Sequence, residues 1–192
     1  MNKYWLSILY VIFVLTNSCK NNNLNNNNEI VNIAGMNLVL PDTMLRYDNN
    51  YNTLAKTETH KIDKDRMIIW IDSTKCSTCY LDYLYNYEVV NDYIRDSLCN
   101  QIEIMMLITP KRNELENLLF KIQNHNFDYP INIDHNQEMY NDLHLTVKND
   151  AIMVLLSDKN GKIKSGIYNY PQYVDMCVMS CIKYLNGFIL QD

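Results

Sequence analysis

Met67-Ile68-Ile69-Trp70-Ile71-Asp72-Ser73-Thr74-Lys75-Cys76-Ser77-Thr78-Cys79 is the stretch that decides how this chain folds. Its first five residues are continuously apolar and short, the pattern of a strand buried on both faces. From about residue 77 to residue 99 the spacing predicts a helix, with Cys79, Tyr83, Val90, Ile94 and Leu98 close to one face. Two cysteines separated by two residues therefore stand where a strand hands over to a helix. There a thiol meets unpaired backbone N–H groups and the positive end of the helix dipole, which stabilise thiolate and lower its pKa. Lys75 adds a positive charge next door. Cys76, at the helix mouth, is the expected nucleophile, and Cys79 the thiol that resolves a mixed disulfide.

Downstream, residues 102–108 read as a second buried strand, closed by Thr109-Pro110. Residues 114–123 form an amphipathic helix with Leu115, Leu118, Leu119 and Ile122 at helical spacing. Residues 130–134 are a short strand, and 138–143 one or two helical turns. Residues 151–156 are an apolar strand, Asp158-Lys159-Asn160-Gly161 a turn, and 162–167 the returning strand of a hairpin. Pro171 opens a last helix, with Val174, Cys177, Val178, Cys181, Leu185 and Phe188 as its buried face. Upstream, the cluster Ile30, Val31 and Ile33 and the run 37–40 read as a small hairpin turning at Ala34-Gly35. Residues 46–65 are polar, with a short helix near 51–55 and a solvated turn at 61–66. The early elements make right-handed crossovers onto a parallel pair, and the late hairpin adds antiparallel strands. The expected fold is α/β: a central mixed sheet with helices on both faces, in three layers.

The amino-terminus is laid out for export. Met1-Asn2-Lys3 is a positive n-region, residues 4–15 are apolar but for Ser7, and Thr16-Asn17-Ser18-Cys19 follows. About a dozen apolar residues are too few for a spanning helix, which needs about 20. A small residue directly before a cysteine at the end of the h-region resembles a bacterial lipoprotein cleavage site, although Leu15 lies four residues before the cysteine rather than three. Residues 1–18 are then a lipoprotein-type signal peptide, and Cys19 is the acylated first residue. The other reading is ordinary signal cleavage with Cys19 an incidental thiol. Residues 19–30 are rich in Asn and have almost nothing to bury, which makes them a disordered tether. The folded domain spans residues 31–192.

The strand–CxxC–helix unit, the order of elements after it, and the terminal Asp158-Lys159-Asn160-Gly161 hairpin and helix together resemble the thioredoxin-like superfamily. The resemblance covers about residues 33–190 and is strongest to the exported, lipid-anchored thioredoxin-like proteins of Bacteroidetes. It implies a thioredoxin-like three-layer sandwich and thiol–disulfide exchange at Cys76 and Cys79 with a protein dithiol or disulfide partner in the cell envelope. It implies no cofactor, and a membrane contact only through the acyl anchor. Three positions depart from the family pattern. Lys75 and Ser77-Thr78 replace the usual Trp and Gly-Pro, which leaves the direction of electron flow open. Trp70 occupies the place of a buried acid six residues before the first cysteine, with Asp72 the nearest acid. No proline lies between Pro130 and Pro171, where the family carries a cis-proline near Ala151 or Ile152. These departures keep open a second reading: a non-catalytic binding or assembly module in which the two cysteines form a structural disulfide.

The chain has 192 residues, room for one such domain plus the export segment. Its net charge of −5 and lack of a basic stripe exclude nucleic acid as a partner. Six unevenly spaced cysteines do not make a disulfide framework. Cys177 and Cys181, four apart on the last helix, read as buried thiols, and Cys99 as a core or boundary thiol. No second close Cys/His pair completes a four-ligand zinc site. His60, His125, His135 and His144 lie in polar surroundings and read as surface residues. A copper-delivering relative would need a CxxxC pair. A peroxiredoxin would need Pro and Thr at set distances before its cysteine, whereas here Thr74 lies two before Cys76 and no proline is near.

Overall fold

The computed structural model describes residues 29–31, 33–48, 53–58, 64–72, 80–97, 101–125, 127, 129–139, 152–169, 181–182 and 185–186. Several sequence expectations lie outside the described residues: the signal peptide and Cys19, the tether up to residue 28, the loop 73–79, Cys99, Cys177, His60, His144, and the start of the last helix.

Among the described residues, eight strands form one sheet: β1 (Glu29–Val31), β2 (Thr43–Asp48), β3 (Thr53–Glu58), β4 (Asp65–Ile71), β5 (Ile102–Ile108), β6 (Ile131–Ile133), β7 (Ile152–Ser157) and β8 (Ile163–Asn169). Their spatial order is β1-β8-β7-β4-β5-β6-β2-β3. β4 lies at the centre. It runs parallel to β5 over its whole length, from Asp65 opposite Ile102 to Ile71 opposite Ile108, and antiparallel to β7. β5 continues parallel to β6, and the remaining pairs are antiparallel. The sheet is therefore mixed, as the sequence predicts, with a parallel heart of three strands.

Helical residues run from 81 to 97 between β4 and β5, as α1 (Leu81–Leu84), a 3₁₀ turn (Tyr85–Tyr87) and α2 (Glu88–Ser97). α3 (Leu115–Asn124) joins β5 to β6. Two successive right-handed crossovers that step the same way across a sheet must put both helices on one face. Leu81, Leu84, Tyr87, Val90 and Ile94 pack there with Leu118 and Ile122, and with Cys181 and Leu185 from the helical residues near the carboxyl-terminus. The spacing of three between Leu81, Leu84 and Tyr87 is that of the 3₁₀ turn, which rephases the buried face and leaves Tyr83 only part-buried. The opposite face is covered by Ile33, Leu38, Leu40 and the helical Met139. Side chains along β4 divide strictly by alternation: Met67, Ile69 and Ile71 face the larger core, Ile68 and Trp70 the smaller.

Two upstream expectations are corrected. Glu29–Val31 does not pair with the run after Gly35. It pairs with β8, and the following segment continues along the same edge, with Gly35 N–H donating to Ile163 C=O at 2.7 Å and Asn37 bridging Lys162. The first strand therefore begins at Glu29, two residues before the boundary read from composition. Residues 53–58 are not helical but form the outer strand of a hairpin with β2. β3 is an edge strand that exposes Ala55 and Lys56, so its sequence shows little apolar alternation. The late hairpin stands as expected, with Gly161 at φ +76° and the Asp158 carboxylate accepting from Asn160 N–H and Lys162 N–H, each at 2.9 Å.

Candidate functional site

The carboxyl ends of β4, β5 and β6 lie side by side at one end of the sheet, the place where open α/β sheets carry their sites. β4 leaves the sheet at Ile71 and reaches Asp72, a carboxylate only 2% exposed. Eight residues later comes the buried Tyr80, the residue that caps α1. Cys76 and Cys79 belong to the connection between these two anchors and lie outside the described residues. The strand before them ends where the sequence reading places it, but the expected helix start near residue 77 is corrected: Tyr80 is a bend, and the helix begins at Leu81.

At the carboxyl end of β4 lies a buried polar network. Trp70 Nε1–H donates to Thr109 Oγ1 at 2.9 Å, and Thr109 Oγ1–H donates to Asp134 Oδ2 at 3.3 Å. Asp134 also accepts from Glu138 N–H and Met139 N–H, each at 3.0 Å. Thr109 N–H donates to Ile71 C=O at 2.8 Å, and Asp134 N–H to Ile108 C=O at 2.9 Å. Trp70, Thr109 and Asp134 have no exposed surface. The network ties together the ends of three strands and the first helical residues after β6. It satisfies a buried carboxylate that would otherwise cost several kcal/mol. Sequence reading took Thr109 and Asp134 only as strand ends. The usable signal was a hydroxyl and an acid each directly following a parallel strand.

A second wall comes from aromatic residues beneath α1. His125, which ends α3, stacks on Phe127 with ring centroids 5.3 Å apart, and its Nδ1 lies 3.3 Å from Tyr85 Oη. Its Nε2 lies 3.5 Å from Asp82 in the first turn of α1. Tyr129 packs on Phe127, and its hydroxyl donates to Leu84 C=O. The expectation of a surface histidine is thus corrected for His125, which apolar rings half cover because α3 must end against the 3₁₀ turn. No group of three or more His, Cys, Asp or Glu side chains that could hold a metal occurs among the described residues.

No protein-family model matches the chain, and no curated protein matches it. Solved structures do. The reduced 2-Cys peroxiredoxin of Plasmodium vivax is 12% identical at a TM-score of 0.54, over 81% of this chain and 98% of that one. The mitochondrial 2-Cys peroxiredoxin of Plasmodium falciparum is 14% identical at a TM-score of 0.51, over 84% and 98%. The thioredoxin domain of a thiol-disulfide oxidoreductase from Bacteroides vulgatus is 13% identical at a TM-score of 0.47, over 79% and 96%. At these identities the likeness is one of fold: the chain has the thioredoxin-like α/β fold.

Proposed function

We propose that this protein is an envelope-facing, lipid-anchored thiol–disulfide oxidoreductase whose working groups are Cys76 and Cys79. The observation that carries the proposal is the position of the CxxC sequence. It joins the carboxyl end of the central parallel strand, at Asp72, to the helical segment that begins after Tyr80. In one direction, Cys76 thiolate attacks a partner's disulfide. A Cys76–partner S–S bond forms as the partner's own S–S bond breaks and one partner sulfur leaves as thiolate. Cys79 thiolate then attacks the Cys76 sulfur and expels the second partner thiolate. The chain's dithiol is oxidised to a disulfide, the partner's disulfide is reduced, and the two protons pass through solvent to the partner's sulfurs. The reverse sequence oxidises a partner dithiol.

The buried floor of Trp70, Thr109 and Asp134 supports this reading by fixing the strand end from which the dithiol loop departs. The export layout ending at Cys19 supports an oxidising compartment and an acyl anchor. No described helix is long and apolar enough to cross a membrane.

The test is exchange with a small model disulfide. Cys76→Ser should abolish it, and Cys79→Ser should trap a mixed disulfide on Cys76. Unchanged exchange in the Cys76→Ser variant removes the enzymatic reading. Cys19→Ala should move the protein out of the membrane fraction, and unchanged fractionation removes the anchor.

A further inference from the structure

The sheet contains a notch beside the amino-terminal half of β5. β5 is paired with β4 from Ile102 to Ile108, but on its other side β6 covers only Met106, Leu107 and Ile108. Ile108 C=O accepts from Asp134 N–H on the β6 side, whereas Thr109 N–H donates to Ile71 C=O on the β4 side. Backbone groups alternate sides along a strand. Met106 and Ile104 therefore point the same way as Ile108, away from β4. Stepping the ladder back in twos from Asp134 N–H on Ile108 C=O brings the nitrogen of residue 132 to Met106 C=O and that of residue 130 to Ile104 C=O. Residue 130 is proline and has no N–H to give. The Ile104 carbonyl thus loses its ladder donor at the point where β6 stops.

A cavity of about 240 Å³ opens there, lined by Arg46, Asn91, Glu103, Ile104, Pro130 and Asn132 among others. It lies beside the amino-terminal half of β5, away from the carboxyl ends of β4, β5 and β6. Its charges are not balanced. Glu103 is engaged by the buried Arg66, with Nε at 2.9 Å and Nη2 at 2.5 Å from the same oxygen. Arg46, exposed on β2 opposite Asn132, makes no ion pair among the described residues. Asn132 is 7% exposed and spends one amide hydrogen on Met106 C=O at 3.1 Å. The cavity therefore offers a guanidinium and an amide N–H to an anion, and a backbone carbonyl to an N–H donor. The carboxyl end of a peptide carries both complements within one or two residues. The volume falls below the roughly 300 Å³ of ordinary ligand pockets, which suits a chain end rather than a whole ligand.

We propose that this notch binds the carboxyl-terminal end of an extended peptide. Arg46 and Asn132 hold the carboxylate, and Ile104 C=O accepts a main-chain N–H that Pro130 does not supply. This inference does not depend on the dithiol chemistry, and binding should be the same in the Cys76→Ser variant.

The experiment is a ¹⁵N chemical-shift titration of the full chain with the peptide Ac-Ala-Leu-Ala as the free acid. Shifts should concentrate at Ile104, the Asn132 side chain and Arg46, with a Kd of about 1 mM or tighter. The carboxy-amidated peptide and the Arg46→Gln variant should each bind at least about tenfold more weakly. Arg46→Gln should leave the Trp70 indole resonance in place, which shows that the fold is kept. Pro130→Ala returns an N–H to Ile104 and should also weaken binding, because the ladder then competes with the peptide. Equal affinity for the amidated peptide, or for Arg46→Gln, overturns the carboxylate assignment. Acetate binding as tightly as the peptide overturns the peptide partner in favour of a small-carboxylate site. Absence of shifts at saturating peptide overturns the proposal altogether.

Discussion

Replacing Thr109 by valine removes a hydroxyl at the centre of the buried network while keeping the shape of the side chain. Trp70 Nε1–H, 2.9 Å from that hydroxyl, is left without an acceptor, and Asp134 loses one of its three donors. A stranded buried donor costs about 1–3 kcal/mol, and a hydrogen bond to a charged group contributes about 1.5–3 kcal/mol. The extra apolar burial of a methyl in place of the hydroxyl returns about 0.8 kcal/mol. Thr109→Val should therefore lose about 2–5 kcal/mol. Thr109→Ser keeps the hydroxyl, loses one methyl, and should lose about 1 kcal/mol. The order is opposite to that of apolar content, so the pair of variants separates hydrogen bonding from packing. The chain's two tryptophans are Trp5 and Trp70. With residues 1–18 removed, fluorescence reports on Trp70 alone. Urea unfolding followed this way should show a midpoint lowered by roughly 1–2 M for Thr109→Val with an unchanged m-value. A Thr109→Val protein within about 0.5 kcal/mol of the parent, or more stable than Thr109→Ser, refutes the network as the structure that holds the three strand ends.

Gly166 faces Ile33 across the smaller core, and a Cβ there would meet Ile33 Cδ1 at 2.7 Å and Leu155 Cδ2 at 3.2 Å. Gly166→Ala should cost about 1–3 kcal/mol, and Ile33→Val, which removes that Cδ1, should recover part of it in the double variant. Strictly additive losses in a thermal or urea cycle contradict the contact. Burial alone pushes the Asp158 carboxyl up, but Lys162 N–H, Lys164 ammonium and Asn160 N–H outweigh it and hold its pKa below the ordinary carboxylate value. A depressed folded pKa contributes stability that is full above about pH 4 and lost as pH falls through the folded value. The stability gap between the parent and Asp158→Asn should therefore narrow as urea midpoints are taken from about pH 5 to pH 3. A constant or widening gap has the wrong sign.

Much of the fold is written locally. The apolar runs at 67–71 and 105–108 are buried on both faces, which is why they need no alternation to be recognised as parallel strands. The turn at Asp158-Lys159-Asn160-Gly161 carries its own hydrogen bonds and fixes the hairpin register with them. What escaped notice depends on contacts distant in sequence. Glu29–Val31 is legible as a strand, but its pairing with β8 is not, and residues 53–58 are a strand only because β2 presents an edge to them. The expected small hairpin at Gly35 mistook a turn along the sheet edge for a turn between partners. The same holds at the site. A CxxC between strand and helix is visible in the chain, whereas Trp70, Thr109 and Asp134 lie 39 and 25 residues apart and meet only through strand register. Trp70 stands where an acid was expected. Besides Asp72, the region holds a second buried acid, Asp134, which follows another strand and reaches Trp70 through one hydroxyl.

The most direct test of the dithiol assignment is a redox titration of the protein in graded thiol–disulfide buffers, with mass tagging of Cys76 and Cys79. The two should react as one two-electron couple with a midpoint between about −120 and −300 mV, changing tenfold in ratio per roughly 30 mV. Independent tagging of the two thiols, or a disulfide that stays closed below about −300 mV, would contradict a working dithiol and leave the structural disulfide in its place.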